Sequence, residues 1–166
     1  MLALGLMSGT SLDGVDAALV ETDGVAARAT GKTAFLPYAP EEQALLRRGL
    51  GRWPHEGGFD DAAALVLERH AEAVARFPEA EVVGFHGQTL NHAPSIFQTF
   101  QLGDGAALAG RFGKPGGGDF RTADVLSGGE GAPLVPVYHH ALARQMADEA
   151  PLVFVNIGGV ANATWV

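Results

Sequence analysis

Gly9-Thr10-Ser11-Leu12-Asp13-Gly14 places two hydroxyls and a carboxylate between glycines, after the apolar run Leu2-Ala3-Leu4-Gly5-Leu6 and before Ala17-Ala18-Leu19-Val20. Such a pattern predicts a hairpin whose tip can hold a phosphate chain. Glycines let backbone approach closely, turn N–H groups form an anion-binding concavity, and Thr10 and Ser11 add hydroxyl donors. Asp13 repels phosphate but suits Mg²⁺ or its waters, because that hard cation takes oxygen ligands. Ser, Thr, Asp and Gly are also ordinary turn residues, so the segment alone leaves a plain hairpin open. A Walker-type loop is excluded: no Gly-Lys-Ser/Thr follows and no helix opens after it.

Three other groups of residues carry chemistry. His86 and Gln88 follow an apolar run, where an α/β sheet commonly places its site. Asp119 and Arg121 stand two apart and can pair with each other. His139 and His140 are neighbours in an expected helix, about 100° apart, too divergent to chelate one metal; one packed and one exposed is the expectation.

The elements that position these residues follow from the period of the apolar pattern. Strands are expected at residues 2–7, 15–22 and 27–35, the latter two joined through Asp23-Gly24 as an antiparallel meander. Acidic residues early and basic ones late predict a helix over Glu41–Arg48. A Gly- and Pro-rich loop leads to a helix from Asp60 to Phe77, with Ala64, Leu65, Leu67, Ala71, Val74 and Ala75 as its apolar face. Residues 81–86 read as a buried strand ending in the turn Gly87-Gln88-Thr89, and 97–102 as another strand. Asp104 caps a helix through Phe112, Lys114 to Gly118 is a break, and a polar segment runs to Gly131. Asp124 is expected to be structural. A helix from Pro133 to about Ala147 and a buried strand at 152–156 follow. Ala161 to Val166 start a further strand, so that Val166 falls in mid-strand. Helices alternating with strands imply an α/β domain, not an all-β one.

The 166 residues suffice for one core, and 47% hydrophobic with 18% charged content is that of an ordinary globular protein. Without cysteine, disulfides and thiolate metal sites are excluded. A net charge of −8 argues against a nucleic-acid surface. No apolar run approaches the roughly 18–20 residues of a membrane helix, and no charged leader opens the chain, so the expectation is a cytoplasmic protein with no membrane partner.

Four segments are specific together: MSGTSLDGVD at 7–16, FHGQT at 85–89, GDFRTAD…GGEGAPLVP at 118–136 and NIGGVAN at 156–162. In this order and spacing the chain resembles the N-terminal part of anhydro-N-acetylmuramic acid kinases, of the acetate kinase, sugar kinase, heat-shock chaperone and actin superfamily. The resemblance implies a ribonuclease H-like (actin-like ATPase) α/β domain, with a mixed five-stranded sheet, antiparallel first three strands and flanking helices. Residues 1–166 would be that domain, incomplete, with the second domain missing. It also implies a reaction: ATP and water convert 1,6-anhydro-N-acetylmuramic acid to N-acetylmuramic acid 6-phosphate in cell-wall recycling.

On this resemblance Gly9, Thr10, Ser11, Leu12, Asp13, Gly14, Val15 and Asp16 bind ATP, with Mg²⁺ as cofactor. His86, Gln88, Asp119 and Arg121 bind the amino sugar; Gln88 suits sugar hydroxyls and the N-acetyl group, and Arg121 the lactyl carboxylate, which a guanidinium matches bidentately. The family's catalytic aspartate belongs to an Asp-Thr-Gly-Pro-Gly-Asn segment expected beyond Val166. No catalytic residue is therefore expected within these 166, and the chain alone is expected to be inactive. A homodimer of the intact protein is an open partner. Gly158 and Gly159 suit close backbone approach, to the sugar or to the missing domain, and equally a hairpin turn. Two departures stand out. Lys114–Gly118 replaces a β-branched strand, which could distort the sheet, and Glu130 stands where many relatives carry Gln. Another small-molecule kinase of the superfamily and a non-catalytic nucleotide- or sugar-binding domain are the competing functions.

Overall fold

The apolar positions of the first strands alternate, and in the computed structural model, which describes residues 1–146, 151–157 and 161–166, that alternation lays one sheet face against helices. Strand β1 (Leu2–Ser8) buries Leu4, Leu6 and Ser8 and turns Gly5 and Met7 outward. It pairs antiparallel with β2 (Gly14–Thr22), which pairs antiparallel with β3 (Ala27–Pro37). Helices α1 (Pro40–Arg47) and α2 (Asp60–Ala75) then cross to the other edge, and β4 (Val82–Ala93) enters parallel to β1. Strand β5 (Gln98–Leu102) pairs antiparallel with the second half of β4, giving the order β3-β2-β1-β4-β5. After α3 (Gly105–Phe112), strand β6 (Gly116–Gly118) pairs parallel with β4 as a sixth strand. Helices α4 (Thr122–Leu126) and α5 (Pro136–Ala143) follow. Strands β7 (Val153–Ile157) and β8 (Ala161–Trp165) form a separate two-stranded sheet.

The core is one cluster, with Leu4, Leu6, Val15, Leu19, Leu36, Val66, Val74, Val83 and Leu108 at most 3% exposed. Each such side chain contributes about 1.5–3 kcal/mol on burial. The expected apolar face of α2 is rotated: Ala62, Val66, His70, Ala71, Ala73 and Val74 are buried, whereas Ala64 and Ala75 are not. Asp104 does cap α3, its Oδ1 accepting from Ala107 N at 2.9 Å.

Four further expectations change. Gly87-Gln88-Thr89 is not the turn that ends a strand, because β4 runs on to Ala93. Its register against β1 passes from Leu6↔Phe85 to Ser8↔Gln88, an extra residue at a bulge. Gly87 makes this possible: its φ is 72°, and a Cβ there would stand 2.6 Å from Leu102 O. The break at Lys114–Gly118 contains a strand, β6, so the glycine run keeps the sheet pairing that β-branched residues would have made. The strand at 152–156 is not buried: Val153 and Val155 are 60% and 62% exposed, since β8 covers an edge and not a face. Helix α5 spans Pro136–Ala143, shorter than the expected 133–147, whose last residue lies outside the described residues. The residue after β8, Val166, keeps the same pairing, in line with a strand there: Val166 N donates to Leu152 O, and Leu152 N to Val166 O, each at 3.0 Å.

Candidate functional site

Parallel strands β1, β4 and β6 all end on one side of the sheet, so the segments that follow them gather there. Residues 9–13 follow β1. Their fixed point is Leu12, 1% exposed and held at φ 56°, a left-handed conformation costly for a leucine. Burying Leu12 leaves Thr10, Ser11 and Asp13 at the surface. Leu12 N donates to Gly9 O at 3.1 Å, and the Asp13 carbonyl accepts from Tyr38 N at 3.0 Å. Among the described residues, the N–H groups of Gly9, Thr10, Ser11 and Asp13 have no acceptor. Ser11 Oγ donates to Asp13 Oδ1 at 2.7 Å, which aims that carboxylate beside the free amides. Desolvation, and next the Asp13 charge, raise the Asp16 carboxyl above its ordinary value. Gly14 and Val15 are buried strand residues, and a Cβ on Gly14 would collide with the Leu36 carbonyl. Gly14 is therefore required by the closeness of β3, not by exposure to a ligand.

Directly beneath the turn lies a buried polar group. Ser8 and Gln88 are both fully buried. Gln88 Nε2 donates to Gly9 O at 2.8 Å and to Thr89 O at 2.9 Å, while its Oε1 accepts from Ser8 Oγ at 2.5 Å. Ser8 Oγ also lies 3.0 Å from Tyr38 Oη. Gln88 thus has no surface to offer a sugar: the bulge in β4 turns it inward, under the loop.

Across β4 from that turn opens a cleft of about 680 Å³, lined by His86, Gln101, Asp104, Gly117, Asp119 and Thr122 among others. The turn at 9–13 is not part of its wall. His86 is buried, with Nδ1 2.9 Å from Gly87 O, and Nε2 accepts from Arg121 Nε at 3.0 Å. A carbonyl only accepts, so His86 is neutral and carries its proton on Nδ1. Burial holds its pKa below the ordinary histidine value, and the Arg121 charge adds to that. Arg121 Nη1 donates to Gly131 O at 2.5 Å. Burial lowers its pKa too, yet no carboxylate pairs with it among the described residues. Asp119, the expected local partner, instead accepts from Thr122 Oγ1 and sits at φ 52°. A half-buried guanidinium with no counter-ion among the described residues has the charge and the spare donors to pair with an anion.

Asp124 is structural as expected: Oδ2 accepts from Gly131 N at 2.7 Å. The Glu130 carbonyl lies 2.9 Å from His92 Nε2. The other nitrogen of His92 lies 2.9 Å from Thr99 Oγ1, so this histidine fastens the 128–131 loop to β4 and β5. Sequence reasoning missed His92 because the strand was ended too early. It also missed His70, fully buried on α2, its Nδ1 2.7 Å from Val66 O, its Nε2 unpartnered among the described residues and its pKa lowered to about 4, chiefly by burial. His139 stacks on Phe154 at 4.5 Å and lies 2.9 Å from Thr164 Oγ1, whereas His140 is exposed. Asn156 is an exposed residue of β7, and Gly158 and Gly159 lie outside the described residues. Val166, past which the resemblance places the catalytic aspartate, pairs with Leu152 in the separate two-stranded sheet and lines neither the turn nor the cleft.

A mixed sheet with three antiparallel strands first, a parallel β1–β4 pair, flanking helices and a hydroxyl-rich turn between β1 and β2 fits an actin-like ATPase fold. Comparison with known proteins agrees. The profile of the family described as "Anhydro-N-acetylmuramic acid kinase" matches residues 1–166, and the chain belongs to that family. It is 54% identical over 164 residues to a relative so named from Cereibacter sphaeroides, covering 99% of this chain and 44% of the relative. A relative from Roseobacter denitrificans is 52% identical over 165 residues (99% and 43%), and one from Bradyrhizobium diazoefficiens 50% over 181 residues (100% and 49%). The chain thus spans less than half the length of these curated relatives.

Proposed function

We propose that this chain supplies the phosphate turn and the sugar cleft of a kinase that converts 1,6-anhydro-N-acetylmuramic acid, ATP and water to N-acetylmuramic acid 6-phosphate, in the cytoplasm. The observation that carries the proposal is the turn at Gly9–Asp13, with four backbone N–H groups left without an acceptor among the described residues and Leu12 anchoring them from below. Free amides and hydroxyls at such a turn suit the phosphates of ATP. Asp13, with Asp16 three residues on, fits a role in holding Mg²⁺, a cation that takes carboxylate oxygens. When bound, that ion neutralises charge on the transferring phosphoryl group.

The sugar occupies the cleft at His86 and Asp119 in this reading, and Arg121 takes the lactyl carboxylate. Water attack at the anomeric carbon opens the anhydro bridge and frees O6, which then accepts the γ-phosphoryl in line. The water needs a carboxylate base. Asp104 and Asp119 of the cleft each have an oxygen committed to a local hydrogen bond, which supports assigning that base to the family's later aspartate, beyond Val166.

The full-length protein, given ATP, Mg²⁺ and the anhydro sugar, is expected to form ADP and the 6-phosphate in equal amounts, read by mass spectrometry. Sugar binding without ATP consumption would leave a binding module in place of a kinase.

A further inference from the structure

The Gly9–Asp13 turn is tied down at both ends by buried residues. At its far end the Asp13 carbonyl accepts from Tyr38 N, and at its near end the Gly9 carbonyl accepts from Gln88 Nε2. Gln88 has no exposed surface, and its whole amide is spent on Gly9 O, Thr89 O and Ser8 Oγ. Ser8 in turn shares a hydrogen bond with the Tyr38 hydroxyl, so β1, β4 and the end of β3 meet in one closed polar network under the turn. A peptide carbonyl that is fixed also fixes the amide of the same peptide plane, because the unit is rigid. Gly9 O belongs to the plane that carries Thr10 N–H, one of the four amides without an acceptor among the described residues. Holding this carbonyl down therefore holds the Thr10 N–H in one direction, and it also seats the turn's own Leu12–Gly9 bond.

We propose that Gln88 is a positioning residue for the phosphate turn, not a sugar contact: its buried amide sets the orientation of the Gly9–Thr10 peptide and so of the amide that meets the phosphates. Gln88 stands two residues beyond His86 on the same bulged strand. One segment of β4 thus supports the turn on one side and lines the cleft on the other. The proposal rests on the kinase reading only for what the turn binds.

The test uses the full-length protein with Gln88→Met, which keeps the volume and removes both amide donors, and Gln88→Glu, which places a carboxylate oxygen against the Gly9 carbonyl. Expected is a rise in the KM for ATP of at least tenfold in both variants, with the KM for the sugar changed less than twofold. A sugar KM raised as much as that for ATP, or an unchanged ATP KM, overturns the proposal. A second readout does not depend on turnover. Hydrogen exchange at the Leu12 amide, whose acceptor is Gly9 O, should speed at least tenfold in Gln88→Met, while β1 and β2 amides keep their protection. Unchanged exchange at Leu12 also overturns it. If either variant fails to fold, Ser8→Ala serves instead: it frees Gln88 Oε1 but leaves the sheet intact, and the same ATP-selective direction is required. Absence of any ATP turnover in the unaltered protein would remove the kinase reading and leave the exchange result to decide the positioning.

Discussion

Arg121 and His86 meet through nitrogen: the guanidinium Nε donates to the imidazole Nε2 at 3.0 Å, and no carboxylate joins them among the described residues. A histidine in this position accepts only while neutral, and burial keeps it so. The pair holds a positive charge at the cleft without neutralising it. The second guanidinium contact, to Gly131 O, fixes the plane of the group and leaves the rest of its donors for a ligand.

Removing that charge tests what it recognises. Arg121→Ala should weaken binding of the muramic sugar by about 10- to 100-fold, the worth of one charged hydrogen-bonded pair. An anhydro-N-acetylglucosamine analogue, which lacks the lactyl carboxylate, should bind as before. Calorimetric titration of both sugars decides it, and equal weakening of the two would make Arg121 structural.

Asp13→Asn should lower turnover far more than sugar affinity, because charge on the transferring phosphoryl changes most in the transition state. A kcat within about threefold of the unaltered protein, under 1 kcal/mol, would leave Asp13 as a turn residue.

Gly9 in the turn and Gly14 at the start of β2 should behave oppositely. A Cβ on Gly9 meets nothing nearer than Met7 Cε at 3.5 Å, so Gly9→Ala should keep the urea midpoint and raise the KM for ATP. Gly14→Ala should destabilise the fold by about 1–3 kcal/mol, the usual cost of overpacking, because β3 lies against it. A large loss of stability in Gly9→Ala would mean that its glycine serves the backbone and not the ligand.

His70 gives stability a pH dependence of known sign. Its folded pKa is about 4 against 6.5 unfolded, so the unfolded chain binds the proton more readily between those values. Stability from this group is complete above pH 6.5 and falls as pH drops towards 4, by about 3 kcal/mol in all. His86, also depressed, acts in the same direction. Urea unfolding of His70→Leu should show a correspondingly flatter pH dependence over this window, and an unchanged slope would show that other groups carry it.

The hairpin that carries the proposed phosphate turn was legible because hairpins are local: an apolar run, a Gly-rich polar tip and a second apolar run leave few alternatives for Leu2–Thr22. The Asp104 cap and the split fates of His139 and His140 were legible for the same reason, since capping and helix spacing act within one turn. Gln88 shows the opposite case. Its type suited a sugar as well as a backbone carbonyl, and only the bulge at Gly87 decides which of the two it faces.

The order and type of these residues determined the α/β class, the antiparallel start and the family, because periodicity, turn chemistry and four spaced motifs are properties of the chain itself. Only the tertiary structure decided that Arg121 leans on His86 and not on Asp119, that His70 is the buried polar residue of α2, and that a run of three glycines still pairs as β6. The reason is physical: partners 35 residues apart, as Arg121 and His86 are, meet only after β4, β6 and α4 have been packed, and no local preference encodes that meeting.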